Sequence, residues 1–154
     1  MGYLNNPQAT AETIDENGWL HTGDIGVLCE DGNIKLVGRT KEMFKSGGYN
    51  VYPLEIEQAL ETHPAIDMAV VVKVDDELYG EVGYAFLQLA QDKGPKVKPI
   101  TTESIADYLR QRLANYKIPK YFGVEDALPL LPVGKVNRSI LKSMAAEKIL
   151  TLLD

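Results

Sequence analysis

Residues 38–53 read Gly-Arg-Thr-Lys-Glu-Met-Phe-Lys-Ser-Gly-Gly-Tyr-Asn-Val-Tyr-Pro, and the rest of the chain is organised around this stretch. A β-hairpin pattern precedes it, and an alternation of helix and strand patterns follows it. The Gly47-Gly48 pair lets the backbone come close to a ligand, because glycine has no Cβ and adopts left-handed conformations freely. We interpret residues 38–53 as a hinge followed by a recognition loop.

The composition is that of a soluble globular protein. A length of 154 residues suits one domain with a modest core, or a small domain with an appendage. Hydrophobic residues make up 45% and charged residues 25% of the chain. The sequence shows no apolar run of membrane-spanning length and no signal-peptide pattern. The single Cys29 fits a reducing cytoplasm and is expected to be buried and inert.

The charge of the chain is unevenly distributed. A net charge of −6 argues against general nucleic-acid binding. Residues 1–92 hold 5 Lys and Arg against 16 Asp and Glu, whereas residues 93–148 hold 11 against 5. The basic C-terminal half can face a polyphosphate, and a solvated mixed surface is the alternative explanation.

The first forty residues predict little regular structure apart from a hairpin. Thr10 is expected to cap a short helix that runs to Glu16. Two short apolar runs then flank Asp31-Gly32, a pair that is a strong hairpin signal, so we predict a β-hairpin over residues 25–37.

The remainder predicts a small α+β domain with a mainly antiparallel three-stranded sheet packed by helices. Pro53 suits the first turn of a helix to Thr62, with Ile56, Ala59 and Leu60 inward and with Glu55, Glu57 and Glu61 on a solvated face. Strands are predicted at residues 68–74, 81–89 and 121–127. A second helix begins at Thr102, with Ile105, Leu109, Leu113 and Tyr116 on one stripe. A polar loop occupies residues 91–99, and Asn137 or Ser139 caps a final helix.

Several short motifs occur together in a recognisable order. They are Gly18-Trp19, Thr22-Gly23-Asp24, the stretch at residues 38–53, Tyr116-Lys117-Ile118-Pro119 and Gly134-Lys135-Val136-Asn137-Arg138. Each motif alone is a weak signal, and an ordinary turn or a solvated loop explains it. Together they resemble the end of the adenylate-forming enzymes, the superfamily of acyl-CoA synthetases, peptide-synthetase adenylation domains and luciferases. Residues 47–53 are most similar to fatty-acid and related acyl-CoA synthetases, although Phe44-Lys45 and Tyr49 depart from the common pattern.

This resemblance implies roles for individual residues. Asp24 would accept hydrogen bonds from the ribose hydroxyls of ATP, and Arg39 would contact the same ribose. Lys41 would be the pivot of a hinge at residues 39–41. Ser46, Gly47, Gly48 and Tyr49 would line the passage for the pantetheine arm of CoA. Lys135 would reach the α-phosphate and the attacking carboxylate, where a compact charge on a long arm suits developing negative charge.

The resemblance also implies a domain organisation. Residues 1–38 correspond to the C-terminal edge of a large AMP-binding domain, and residues 42–154 to the C-terminal lid. The Ser/Thr/Gly-rich phosphate loop of that family does not occur in this sequence. We therefore expect the chain to be the C-terminal part of a longer enzyme, inactive alone, with the large N-terminal domain as its partner.

The implied reaction joins a carboxylic acid, in particular a fatty acid, to CoA. ATP and the acid would give an acyl-adenylate and pyrophosphate, and transfer to CoA would then release AMP. Magnesium would accompany ATP, held mainly by the large domain, and the sequence assigns no metal ligand to this chain. One alternative is a ligase that loads a carrier protein. The other is a non-enzymatic module that binds CoA, a nucleotide or a partner protein.

Overall fold

A computed structural model describes residues 2–90 and 100–153, with backbone only for Leu153. The chain divides into two compact units, Met1–Lys41 and Glu42–Asp154. The loop predicted at residues 91–99 lies outside the described residues. None of the helices in the described part of the chain combines the length and apolar character required to cross a membrane.

The first unit begins with helix α1, Pro7–Thr13. The helix is capped by Asn6, whose side-chain oxygen accepts a hydrogen bond from the Ala9 amide at 3.0 Å, and Pro7 follows as its first residue. The predicted cap at Thr10 and the predicted end at Glu16 are therefore wrong. Thr10 lies inside the helix, where its hydroxyl donates to the Asn6 carbonyl at 2.9 Å.

The predicted hairpin is confirmed. Strands β1, Asp24–Leu28, and β2, Ile34–Arg39, pair in antiparallel register. Gly32 lies in the connecting turn with a φ of 82°, a value that favours glycine. The prediction of a buried Cys29 is wrong, because its side chain is only partly buried in a unit that has almost no interior.

The second unit holds the remaining elements. In chain order these are β3 (Phe44–Ser46), β4 (Tyr49–Val51), α2 (Pro53–Glu61), β5 (Ile66–Asp76), β6 (Gly80–Leu89), α3 (Thr102–Arg110), a 3₁₀ turn (Asn115–Lys117), β7 (Tyr121–Glu125) and α4 (Arg138–Leu153). The α+β class is confirmed. The predicted stripe on the second helix does not continue, because α3 ends at Arg110 before Leu113 and Tyr116.

The sheet of the second unit has five strands rather than the predicted three. Strand β6 pairs antiparallel with β5 and with β3, β3 pairs antiparallel with β4, and β7 lies parallel to β6. The prediction of a mainly antiparallel sheet is therefore confirmed. Strands β3 and β4 were missed because three-residue strands are too short to show a clear alternation.

Helices cover both faces of the sheet, and the middle of β5, residues 68–72, is accordingly apolar on both faces. Successive side chains of a strand point to opposite faces. Ala69 and Val71 pack with α2 and α3, whereas Val70 and Val72 pack with α4. The first face contributes Ile56, Leu60, Ile105 and Leu109, and the second contributes Phe86, Leu141 and Ala145. The second unit therefore has a core on each side of its sheet.

One acidic residue of α2 departs from the predicted solvated face, because Glu57 is buried, whereas Glu61 is exposed as predicted. Glu57 is only 5% exposed, and its carboxylate accepts the Val71 amide at 2.7 Å. The Glu61 carboxylate accepts the Ala69 amide at 3.2 Å. Strand β5 is at the edge of the sheet, so its outward amides need acceptors, and two acids one helical turn apart supply them.

Candidate functional site

Asp24 and Arg39 lie opposite each other at the open end of the β1–β2 hairpin. The Arg39 Nε donates to the Asp24 Oδ1 at 2.9 Å, with 61% and 31% of the two side chains exposed. The Thr22 hydroxyl oxygen accepts the Asp24 amide at 3.1 Å. The hairpin thus brings together the two residues predicted to contact ribose. Their role as ribose ligands stays a prediction.

Lys41 is exposed in a turn directly after β2. It is the last residue of the first unit, and Glu42 begins the second. Its role as the pivot also stays a prediction.

The Gly47-Gly48 pair forms the tight turn between β3 and β4. The φ angles of Gly47 and Gly48 are 55° and 87°, as required by a two-residue turn of type I′. The Gly47 amide donates to the Tyr79 carbonyl at 3.0 Å, and Ser46 is 8% exposed. Both glycines are therefore explained by the turn itself, and a close approach to a ligand is an additional prediction.

Tyr49 extends this turn into an aromatic pair. Its ring stacks on Tyr116 with centroids 4.6 Å apart and an interplanar angle of 22°. The neighbouring Lys117 donates to both carboxylate oxygens of Glu55 on α2 at 2.7 Å. The Tyr-Lys-x-Pro motif was a family signal in the sequence, but only the structure shows that its Tyr116 packs against Tyr49, beside the Gly47-Gly48 turn.

Lys135 lies on a closed loop before α4. The Leu131 amide donates to the Lys135 carbonyl at 2.7 Å, and the Gly134 amide donates to the Leu131 carbonyl at 2.8 Å. Leu130 and Val136 form an isolated antiparallel bridge that closes the loop at its base. The Lys135 residue is exposed, so an ordered backbone presents its side chain to solvent.

The start of α4 fixes the end of this loop. The Asn137 Oδ1 accepts the Ile140 amide at 3.3 Å, which confirms Asn137 as a cap. The Asn137 amide in turn donates to the Pro129 carbonyl at 2.8 Å.

Arg138, which is partly exposed, pairs with the buried Glu57, and the sequence did not predict this pair. The Arg138 Nη2 donates to both carboxylate oxygens of Glu57 at 2.9 Å. Burial raises the pKa of the Glu57 carboxyl, and the Arg138 charge opposes that rise. The position of Glu57 one helical turn before Glu61 was the available signal that these acids bind a neighbouring strand. The same spacing, however, is typical of a solvated helix face.

The comparisons with known proteins agree on one family. A family model described as the AMP-binding enzyme C-terminal domain matches residues 55–135. The chain is 44% identical over 148 residues to 4-coumarate-CoA ligase 1 of Narcissus pseudonarcissus, covering 95% of this chain and 26% of that protein. It is 40% identical over 145 residues to a 2-methylpropanoate–CoA ligase of Humulus lupulus, covering 94% of this chain and 26% of that protein.

The chain is also similar to a solved structure of a CoA synthetase. The o-succinylbenzoate CoA synthetase of Bacillus subtilis, in complex with its acyl-adenylate intermediate, is 38% identical to the chain with a TM-score of 0.80. The alignment covers 92% of this chain and 28% of that protein. The chain thus spans about a quarter of the length of the CoA ligases that it matches.

Proposed function

Because the chain belongs to the family of AMP-binding enzyme C-terminal domains, we propose that it acts as the lid of an AMP-forming CoA ligase. Such a ligase activates a carboxylic acid as an acyl-adenylate and then transfers the acyl group to CoA. The partner of the lid is the large N-terminal domain of the same enzyme. CoA ligases match over nearly the whole of this chain, which favours CoA over a carrier protein as the acyl acceptor.

This proposal rests mainly on the exposure of Lys135 on a well-defined loop. The lysine is exposed on a loop whose backbone is closed by the hydrogen bonds of Leu131 and Gly134. A preorganised cation stabilises charge that develops in a transition state, because little reorganisation is needed when the reaction occurs. We assign Lys135 to the negative charge that forms when the carboxylate attacks the α-phosphate of ATP.

Asp24 and Arg39 suit the ribose of the same nucleotide. A carboxylate accepts hydrogen bonds from both hydroxyls of a vicinal diol, and a guanidinium donates to their oxygens. The 2.9 Å contact between the two side chains holds them in one place on the hairpin. The proposal gives this pair a binding role and no part in bond making.

The Gly47-Gly48 turn suits the second half-reaction. Glycines leave its outer surface without side chains, and Tyr49, 60% exposed, lies beside it. We assign the turn to the pantetheine arm of CoA. One enzyme would then use two parts of the lid in sequence, with rotation near Lys41 exchanging them.

The remaining assignments concern cofactors and location. ATP, AMP and CoA are the ligands of the proposed reaction. Within residues 2–90 and 100–153, no three His, Cys, Asp or Glu side chains cluster so as to hold a metal ion. We propose that the magnesium that accompanies ATP is held mainly by the large N-terminal domain. We retain a cytoplasmic location as part of the proposal, on the basis of the single Cys29.

The test is Lys135→Ala in the full-length enzyme that contains this chain. We expect ATP–pyrophosphate exchange to fall by about 10²–10³-fold, and transfer to CoA from supplied acyl-adenylate to stay near the wild-type rate. Lys142→Ala removes another exposed lysine, on α4, and is the matched control. Pyrophosphate exchange at the wild-type rate in Lys135→Ala would contradict the assignment.

A further inference from the structure

Arg138 stands at a position where its charge is locally unfavourable. It is the first residue of α4, and the N-terminal end of a helix carries a partial positive charge that disfavours cations. Asn137 already caps this end through the Ile140 amide. Capping therefore does not explain why an arginine occupies this position. The explanation must lie in the groups that its side chain binds.

The guanidinium of Arg138 joins three separate parts of the second unit. Its Nη2 bridges the two carboxylate oxygens of Glu57 on α2 at 2.9 Å. Its Nη1 donates to the Val71 carbonyl on β5 at 3.0 Å. Its Nε lies 3.4 Å from the carboxylate of Glu42. Arginine suits this site because its donors have a fixed planar geometry.

Glu57 and Arg138 together take the place of a neighbouring strand. Strand β5 is at the edge of the sheet. Glu57 accepts the Val71 amide at 2.7 Å, and Arg138 donates to the carbonyl of the same residue. Among the residues that the structure describes, no buried side-chain nitrogen or oxygen lacks a hydrogen-bond partner. The network is therefore complete, a condition under which buried polar groups make the surrounding structure rigid.

The same network is one of the two attachments of the Lys135 loop. At its base the loop is fixed by the bridge between Leu130 and Val136 and by the bond from the Asn137 amide to the Pro129 carbonyl. Beyond the base, the chain enters α4 at Arg138, three residues after Lys135. The register of α4 on the sheet therefore sets where the loop lies.

We propose that Glu57, acting through Arg138, is a positioning residue for Lys135. The buried carboxylate holds Arg138, Arg138 holds the start of α4 on the edge of β5, and α4 fixes the loop that carries the lysine. This inference rests on the proposed function of Lys135. It follows that Glu57 contributes to the adenylation half-reaction and not to the transfer to CoA.

The first test compares two carboxylates that both bind α4. Glu57→Gln removes the charge beneath Arg138, and Glu125→Gln removes the partner of Lys148, 2.7 Å away near the other end of the helix. In the full-length enzyme, Glu57→Gln should lower kcat for pyrophosphate exchange about 10–100-fold, by analogy with the loss of a residue that orients a metal ligand. KM for ATP and transfer from supplied acyl-adenylate should stay near wild type, and Glu125→Gln should change neither half-reaction.

Equal losses in the two variants, or equal losses in the two half-reactions of Glu57→Gln, would overturn the proposal. If Glu57→Gln does not fold, Arg138→Lys is the second variant. Its single ammonium keeps the charge but cannot serve Glu57, Val71 and Glu42 together, so the same selective loss of adenylation is expected. Wild-type pyrophosphate exchange in Arg138→Lys would equally overturn the proposal.

A second measurement does not depend on catalysis. Amide hydrogen exchange on the 154-residue chain follows the amides of Gly134 and Asn137, whose hydrogen bonds close the loop. Glu57→Gln should speed their exchange by about tenfold or more relative to the core of β6, and Glu125→Gln should not. Unchanged loop exchange would refute the positioning role. A wild-type result for Lys135→Ala would instead refute the proposed function and leave this structural link standing.

Discussion

The two units of the chain contain similar strand patterns, but only one of them has a core. In the first unit Trp19, Leu28 and Ile34 are 73%, 73% and 70% exposed. In the second, Leu60 and Phe86 are fully buried. Local signals are enough to pair the strands of a hairpin, whereas burial requires other elements to cover its faces. The comparison shows that predicting a strand is a different problem from predicting what stabilises it.

This difference has a thermodynamic consequence. A two-stranded hairpin with no covering layer is marginally stable in water, and a segment of about 40 residues seldom buries enough apolar surface to fold alone. The second unit has helices on both faces of its sheet. We therefore expect cooperative unfolding of the chain to report on residues 42–154.

Replacement of one arginine in each unit should give the largest contrast. Arg138→Ala leaves the buried carboxylate of Glu57 without its partner, which is expected to destabilise the protein by about 3–5 kcal/mol. Arg39→Ala breaks the exposed pair with Asp24 and should change the free energy of unfolding by less than about 1 kcal/mol. Urea denaturation at neutral pH measures both. Equal effects would contradict the contrast between the units.

Truncation of one leucine in each unit should give the next largest contrast. Leu60 has no exposed surface, and Leu60→Ala is expected to cost about 2–5 kcal/mol through lost burial and a new cavity. Leu28 is 73% exposed, and Leu28→Ala should stay within about 0.5 kcal/mol. Thermal unfolding of the two variants is the measurement. A large loss of stability in Leu28→Ala would show that the hairpin belongs to the cooperative unit.

The pH dependence of the free energy of unfolding in acid should give the smallest contrast between the two units. A hydrogen bond from Lys120 lowers the pKa of Asp76 in the second unit, and one from Asn33 lowers the pKa of Asp31 in the first. A lowered folded pKa adds stability that is present above the unfolded value of 3.8 and lost as pH falls through the folded value.

Of these two carboxyl groups, only Asp76 should contribute this pH dependence to global unfolding, because only Asp76 lies in the second unit. Asp76→Asn is therefore expected to flatten the loss of stability below pH 3.8, whereas Asp31→Asn should leave the profile unchanged. Urea denaturation across the acid range measures the difference. A flatter profile in Asp31→Asn would place the hairpin in the same cooperative unit.

Much of the fold was accessible from sequence because its signals are local. Asp31-Gly32 predicted the first hairpin, and Pro53 predicted the start of α2. The β3–β4 hairpin was missed because its strands have three residues each and because Gly47-Gly48 was interpreted as a ligand approach rather than as a turn. Sequence patterns do not distinguish these two uses of paired glycines, since both rely on positive φ or on the absent Cβ.

The site was less accessible, because its contacts join distant residues. Lys135 was identified from one short motif, and Asn137 was one of two residues, with Ser139, expected to cap α4. Glu57 was assigned to solvent, yet its partner Arg138 is 81 residues away in the chain. A helix face that is polar in sequence becomes buried when an edge strand lies against it, and only the tertiary structure shows which strand does so.

We propose that one lid serves two half-reactions through a pivot at Lys41, and Lys41→Pro in the full-length enzyme tests this role most directly. Proline fixes φ near about −65° and favours an extended conformation at Thr40, which can continue from β2. Rates of pyrophosphate exchange and of transfer from supplied acyl-adenylate are measured on the same preparation. We expect near-normal exchange with loss of transfer to CoA, whereas wild-type rates in both half-reactions, or equal loss of both, would contradict a pivot at Lys41.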